Sequence, residues 1–131
     1  MSFLTPSDED YSNFREKLVN ALGISYKVES HKEVSGFFGS SKKLFDYVIF
    51  HEDLPLVGVE YKYKYAFPFI DINSNVYINQ FREVGLQYGI MYFGEKNDIY
   101  FWKKGASRFD KFSFDDFPSL QLAAVNSLRI S

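Results

Sequence analysis

The chain has 131 residues, of which 46% are hydrophobic and 20% aromatic, and it contains no cysteine. This length suits one domain over residues 1–131, and the absence of cysteine excludes disulfide bonds and cysteine-ligated zinc. The 15 basic and 17 acidic residues give a net charge of −2, so the chain lacks the overall basic character that nucleic-acid-binding proteins commonly carry. No apolar run reaches membrane-spanning length, and we expect a cytoplasmic protein with no membrane partner.

The N-terminal part of the chain predicts a helix, a short strand and a loop. N-cap candidates and first-turn acids occur in residues 5–10, and Gly23 is expected to end the helix. Residues 24–29 predict the strand, and the Gly- and Ser-rich residues 31–41 predict a mobile loop. Apolar residues recur at helical spacing within the predicted helix: Tyr11, Phe14, Leu18 and Leu22.

The next stretch predicts a β-hairpin. The runs 44–50 and 56–65 are rich in β-branched and aromatic residues, and a polar turn that contains a proline separates them. With the turn centred near Asp53, the pairing of the two strands places Asp46 across from Glu60. The hairpin is therefore expected to hold two acidic side chains close together.

One face of this hairpin collects the two acids and a lysine. Side chains alternate between the two faces of a strand, so Glu60 and Lys62 share a face, and Asp46 joins them from the paired strand. Two carboxylates held close repel each other, and binding a hard divalent cation such as Mg²⁺ relieves that repulsion. A neighbouring ammonium can offset the charge that develops on a phosphate or orient the attacking water. The set therefore predicts phosphodiester hydrolysis.

The same residues carry a resemblance to a known family. Asp46, followed after thirteen residues by Glu-Tyr-Lys, resembles the D…(D/E)-x-K signature of the PD-(D/E)XK nuclease superfamily, which includes restriction endonucleases and Holliday-junction resolvases. Residues 43–50, KLFDYVIF, and 55–62, PLVGVEYK, are especially similar to the nuclease domain of type I restriction subunits. Phe45 stands where the family often has a proline, a variation that the superfamily tolerates.

The resemblance implies a fold, a cofactor and a set of ligands. The fold would be a restriction-endonuclease-like αβββαβ core, an α/β (α+β) arrangement with a central mixed sheet flanked by helices. Asp46, Glu60 and the Tyr61 carbonyl would hold Mg²⁺ or Mn²⁺, and Lys62 would lie beside the scissile phosphate. The implied function is a metal-dependent nuclease acting on nucleic acid, with DNA favoured over RNA. A homodimer stays open, since many small nucleases dimerise to cut two strands.

Further residues are expected to support this site. Gln80 corresponds to a glutamine that looks toward the active site in related nucleases, although Val84 stands where a tyrosine would complete their Gln-x-x-x-Tyr arrangement. Related proteins often add an acid from the first helix, but Asp10 and Glu16 are interpreted as first-turn or surface charges. Four basic residues are expected to contact nucleic-acid phosphates: Lys42, Lys43, Lys64 and Arg82.

The C-terminal half predicts the remaining elements. Residues 76–88 form an amphipathic pattern that predicts a second helix ended by Gly89. Residues 90–93 and 99–103 predict two strands that complete the sheet, and a last helix is expected to begin near Pro118. The predicted order is therefore α-β-β-β-α-β-β-α.

Two other functions stay open. Alternating charge on a strand is also typical of a solvated sheet face, and a protein with this fold could bind nucleic acid or a protein partner without cleaving it. A complete acid-acid-lysine set argues against that alternative, because a decayed site has no reason to keep all three. The Phe-rich residues 109–117 favour a different alternative, an exposed aromatic surface for assembly.

Overall fold

The computed structural model describes residues 6–36, 41–63 and 75–116. The described chain contains two α-helices, six strands and a short 3-10 helix. In chain order these are α1 (Asp8–Leu22), β1 (Tyr26–Ser35), β2 (Lys42–His51), β3 (Leu54–Lys62), α2 (Asn75–Arg82), β4 (Tyr88–Phe93), β5 (Asp98–Lys103), β6 (Asp110–Ser113) and the 3-10 helix Phe114–Asp116.

The six strands form one mixed sheet in the order β1-β2-β3-β4-β5-β6. Neighbouring strands are antiparallel except β3 and β4, which are parallel and have α2 between them in the chain. Parallel strands need such a crossover because a short turn can only reverse the chain. The predicted order of the first six elements, α-β-β-β-α-β, is confirmed.

A helix covers each face of the sheet. Phe14 and Leu18 of α1 pack into one buried cluster, here called the α1-side cluster. Ile78 and Phe81 of α2 pack into a second, here called the α2-side cluster. The predicted mixed sheet flanked by helices is thus confirmed. Neither helix of the described chain is long and apolar enough to span a membrane.

Helix α1 begins and ends as predicted. The Ser7 side chain accepts a hydrogen bond from the Asp10 backbone N–H at 3.1 Å, and the Asp10 carboxylate accepts one from the Ser7 N–H at 3.0 Å. This capping box stabilises a helix start by about 1 kcal/mol. Gly23, with φ 83°, caps the other end. Asp10 is therefore a first-turn acid, as interpreted from the sequence, and it also completes the capping box, while Glu16 is exposed.

Helix α2 is shorter than predicted. The expected end at Gly89 is wrong, since the helix stops at Arg82 and Tyr88 already belongs to β4. Gly85, with φ 73°, forms the turn after the helix, and the Leu86 N–H donates to the Phe81 carbonyl, as in a Schellman motif. Gly89 instead lies so close to Phe81 that a Cβ at this position would be 2.4 Å from that ring. A residue with a side chain would therefore clash here.

Strand β1 is longer than predicted. Residues 31–35 continue the strand, and 32–35 pair with β2, so the predicted loop is wrong for them. Residues 37–40 of that predicted loop lie outside the described residues. The last residues predicted for β3 and the helix expected near Pro118 also lie outside them.

Strand β6 was not predicted from the sequence. It pairs with β5, and Phe109 and Phe114 beside it are each only 7% exposed. The expectation of an exposed aromatic surface is therefore wrong for these two residues. Their burial accompanies the pairing of β6 with the outer edge of β5. A Phe-rich sequence does not by itself indicate that β6 pairs there.

Candidate metal-binding and catalytic site

The turn of the β2–β3 hairpin consists of two residues. Glu52 and Asp53 have φ values of 52° and 64°, and positive φ at both positions is the conformation of a type I′ turn. The twist of a type I′ turn matches the right-handed twist of paired strands. Two residues are therefore enough to connect β2 and β3. The predicted five-residue turn is therefore wrong in length, although its centre near Asp53 is confirmed.

The register of the hairpin brings the two acids together. A β-bulge near the turn shifts the pairing by one residue, and beyond it Tyr47 lies opposite Val59. One further step along each strand places Asp46 opposite Glu60, as the sequence predicted. Without the bulge, the turn alone would pair Asp46 with Val59, and the two carboxylates would not face each other.

The alternation of side chains in β2 is broken at Asp46. Phe45 and Tyr47 would share a face in a regular strand, but Tyr47 packs in the α1-side cluster and Phe45 in the α2-side cluster. His31, which occupies the position facing Asp46 in β1, has a φ of 51°, so β1 is also irregular at this level. The break turns the Asp46 side chain toward the backbone of β3.

At Asp46, side-chain hydrogen bonds take the place of the regular backbone hydrogen bonds between β2 and β3. Asp46 Oδ2 accepts a hydrogen bond from the Tyr61 backbone N–H at 2.7 Å, and the Asp46 backbone N–H donates to the Glu60 carboxylate. The N–H and C=O of a strand residue point to the same neighbouring strand, so the Tyr61 carbonyl also points toward β2. The Lys62 carbonyl points the other way and accepts from Gly94 N–H at 2.8 Å.

Glu60 is a buried acid with an unsatisfied oxygen. Its exposure is only 7%, and no hydrogen-bond partner for Oε1 is found among the described residues. Lys43 Nζ lies 3.9 Å from Oε1 and Lys62 Nζ lies 3.8 Å from Oε2, which is beyond hydrogen-bonding distance but close enough to attract. A buried carboxylate oxygen without a donor is costly, so this position favours a bound cation.

The protonation of Glu60 reflects the same surroundings. Burial raises its pKa from 4.5 to about 7, and repulsion from Asp46 adds to that rise. The ammonium groups of Lys43 and Lys62 act in the opposite direction. A divalent cation would also lower the pKa of Glu60, since it favours the ionised form.

Lys43 reaches the acids because of the break at Asp46. Lys43 and Asp46 are three positions apart, so strict alternation would place them on opposite faces of β2. The irregular backbone instead leaves Lys43, like Phe45, on the side of β3 that carries Glu60. The sequence assigned Lys43 only to phosphate contacts and gave no signal of its approach to Glu60.

Tyrosine side chains pack next to the acids on the side of α1. Tyr11 packs edge-on against Tyr61, with ring centroids 5.4 Å apart, and the Tyr47 hydroxyl donates to the Tyr11 carbonyl. Burial, with the nearby charges of Asp46 and Glu60, raises the pKa of Tyr11 to about 12, so its hydroxyl stays neutral at physiological pH. Helical spacing identified Tyr11 only as a core residue.

The other predicted residues lie at different distances from the acids. Gln80 Nε2 is 3.8 Å from Met91 Sδ, and Met91 pairs with Glu60 across β3 and β4, so Gln80 lies beside the site. Arg82 donates to Asn79 Oδ1 at 3.1 Å on the exposed side of α2. Lys42 is exposed at the start of β2, and Lys64 lies outside the described residues.

The donor set suits a hard cation that keeps several waters. Within the described residues, no group of three or more His, Cys, Asp or Glu side chains could hold a metal ion together. Asp46 and Glu60 would be the carboxylate ligands, and the Tyr61 carbonyl would add a third oxygen. Mg²⁺ is commonly held by one or two carboxylates with water and substrate phosphate completing its shell, so these residues fit it.

The sequence matches no protein-family model and no curated protein.

Proposed function

We propose that this protein is a divalent-metal-dependent nuclease of the PD-(D/E)XK type, built as a single domain on a restriction-endonuclease-like αβββαβ core. It would hydrolyse phosphodiester bonds of nucleic acid, with DNA favoured over RNA on the strength of the resemblance. The observation that carries the proposal is the buried Glu60 carboxylate, whose Oε1 lacks a hydrogen-bond donor in the described chain, with Asp46 opposite it and two lysines beside it.

The acidic residues would provide the binding site for the cofactor. Asp46, Glu60 and the Tyr61 carbonyl would hold Mg²⁺ or Mn²⁺, which supplies polarisation of a phosphoryl oxygen and a lowered pKa of bound water. The bond from Tyr61 N–H fixes the Asp46 carboxylate before any ligand binds. Such fixation reduces the entropy that binding would otherwise cost.

Lys62 would act on the phosphate. Its ammonium lies 3.8 Å from Glu60 Oε2 and its side chain is 48% exposed, so it is anchored beside the acids and still open to substrate. From this place it can donate to a non-bridging phosphate oxygen and stabilise the negative charge that grows during attack. It can also hold the attacking water in line.

A cleavage assay with a panel of substrates tests the proposal. Single-stranded, duplex, flap and four-way-junction DNA, together with RNA, are incubated with Mg²⁺ or Mn²⁺. EDTA should stop cleavage, and the larger Ca²⁺ should bind without supporting turnover. Asp46→Ala, Glu60→Ala and Lys62→Ala should each nearly abolish activity, whereas Lys111→Ala on exposed β6 should keep it.

Two outcomes would overturn the proposal. Activity that survives Glu60→Ala and Lys62→Ala would come from another site or from a contaminant. Absence of cleavage on every substrate with either metal, combined with retained nucleic-acid binding, would favour a binding module that keeps the fold without the chemistry.

A further inference from the structure

A cavity of about 280 Å³ lies between the beginning of β2 and helix α2. Lys42 and Lys43 of β2 line one side of it, and Asn79 and Gln80 of α2 line the other. Glu83 also contributes to the lining. Its volume is on the scale of one nucleotide and too small for a base pair.

This cavity adjoins the pair of acids. Lys43 lines it, and its Nζ is also 3.9 Å from Glu60 Oε1. Gln80 lines it as well and contacts Met91, the β4 neighbour of Glu60. A polymer with one phosphate at Glu60 would therefore have its neighbouring nucleotide at the cavity.

The distribution of positive charge favours a single strand. Lys42 and Lys43 line the cavity, and Lys43 and Lys62 lie beside Glu60, so a narrow row of basic residues extends from the cavity to the acids. The lysines of the outer strand, Lys27 and Lys32, lie instead beside an acid of β1 and do not line the cavity. A duplex presents phosphates on two backbones and needs a broad positive face, whereas one backbone can follow a row.

The amides in the cavity suit an exposed base. Asn79 Oδ1 accepts a hydrogen bond from Arg82, and Gln80 Nε2 contacts Met91 Sδ. The Asn79 Nδ2 donor and the Gln80 Oε1 acceptor together provide the chemistry that reads the Watson–Crick edge of a base. In a duplex that edge is paired and the base is stacked, so a base could enter the cavity only after extrusion. An unpaired strand offers the edge without that cost.

We propose that the cavity is a nucleotide subsite and that the substrate is nucleic acid with an unpaired strand at the point of cleavage. Lys42 and Lys43 bind the phosphate next to the scissile one, and Asn79 and Gln80 bind the base attached to it. This inference rests on the proposed function, because Asp46 and Glu60 define where the scissile phosphate lies.

Binding measured without turnover tests the inference. Fluorescence anisotropy in Ca²⁺ at pH 8 compares a short labelled DNA strand with a hairpin duplex of the same composition. The strand should bind at least about tenfold more tightly, with a salt slope of about −1.4 to −2.1 for its two or three phosphate contacts. Gln80→Leu and Lys43→Met should each remove most of that preference. Lys111→Met on β6 is the charge-matched control and should keep it.

The two proposals fail in different ways. Equal or tighter duplex binding, no binding of either ligand, or an unchanged preference in Gln80→Leu would overturn the subsite. Cleavage of uninterrupted duplex that depends on Asp46 and Glu60 would also overturn it, while the nuclease itself would stand. Absence of metal-dependent cleavage, with strand-selective binding retained, would refute the nuclease and leave the subsite.

Discussion

The Asp46 carboxylate accepts a hydrogen bond of 2.7 Å from the backbone N–H of Tyr61. A side chain here takes the place of a backbone acceptor, and it does so where the alternation of β2 is broken. The same bond fixes the Asp46 carboxylate, a candidate metal ligand. The Tyr61 carbonyl, a second candidate, points toward β2 like the N–H of the same residue. Local backbone structure and candidate chemistry are therefore coupled through this contact.

Removing this acceptor should cost stability as well as activity. Asp46→Ala leaves the Tyr61 N–H without its partner and should lower the free energy of unfolding by about 1–3 kcal/mol. Asp46→Asn keeps an oxygen acceptor and should lose less, although both variants should lose cleavage. Chemical denaturation at pH 5.5, where Glu60 is protonated, measures the difference without the repulsion between the acids. Equal losses in the two variants would contradict the role of the bond.

The buried acid should make stability depend on pH. The pKa of Glu60 is about 7 in the folded protein and 4.5 as its ordinary value, so between these values the folded state holds a proton that the unfolded chain has released. This contribution is fully present below pH 4.5 and is lost as pH rises through 7. In EDTA, Glu60→Gln should remove a pH-dependent change on the order of 2–3 kcal/mol between pH 5 and pH 8. Glu16→Gln, exposed on α1, should retain it, and an unchanged profile in Glu60→Gln would refute the assignment.

Divalent metal should stabilise the folded protein. Ligand at a hundred times its dissociation constant adds about 2.7 kcal/mol when it binds only the folded state. Mn²⁺ or Mg²⁺ should therefore raise Tm, and more at pH 8 than at pH 6, because protonated Glu60 must release its proton before it can bind metal. Thermal scans of Asp46→Asn and Glu60→Gln should show no such rise, while Asp110→Asn on β6 should respond as the wild type. A rise that persists in both site variants would place the metal elsewhere.

The two lysines beside Glu60 should have separable effects. Lys62→Met removes the group placed to stabilise the transition state and should lower kcat by about a hundredfold or more. Lys43→Met removes a ground-state phosphate contact and should raise KM while kcat stays within about threefold. Steady-state kinetics at pH 8 with saturating Mg²⁺ on the preferred substrate separates them, because a bound cation favours ionised Glu60 in both variants. A matched loss of kcat in the two would assign Lys43 to the chemistry as well.

Much of the architecture could be predicted from local signals. The capping residues and the apolar spacing of α1 specify that helix, and β-branched runs on either side of a polar turn specify the hairpin. Helix α2 was predicted too long because its apolar spacing continues into β4, and Gly85 and Gly89 are equally good stop signals in the sequence. The positive φ of Gly85 and the close approach of Gly89 to Phe81 distinguish their roles.

The sequence alone determined which residues are the candidates for the chemistry: Asp46, Glu60 and Lys62 follow from residue types, strand alternation and spacing. Tertiary structure decided how they interact. The bulge sets the register, and the break at Asp46 brings Lys43 to Glu60. Burial of Glu60 within the fold and repulsion from Asp46 raise its pKa, because desolvation and charge repulsion depend on distances between segments far apart in the chain. Alternation and propensity describe one strand at a time, so they contain no information on these distances.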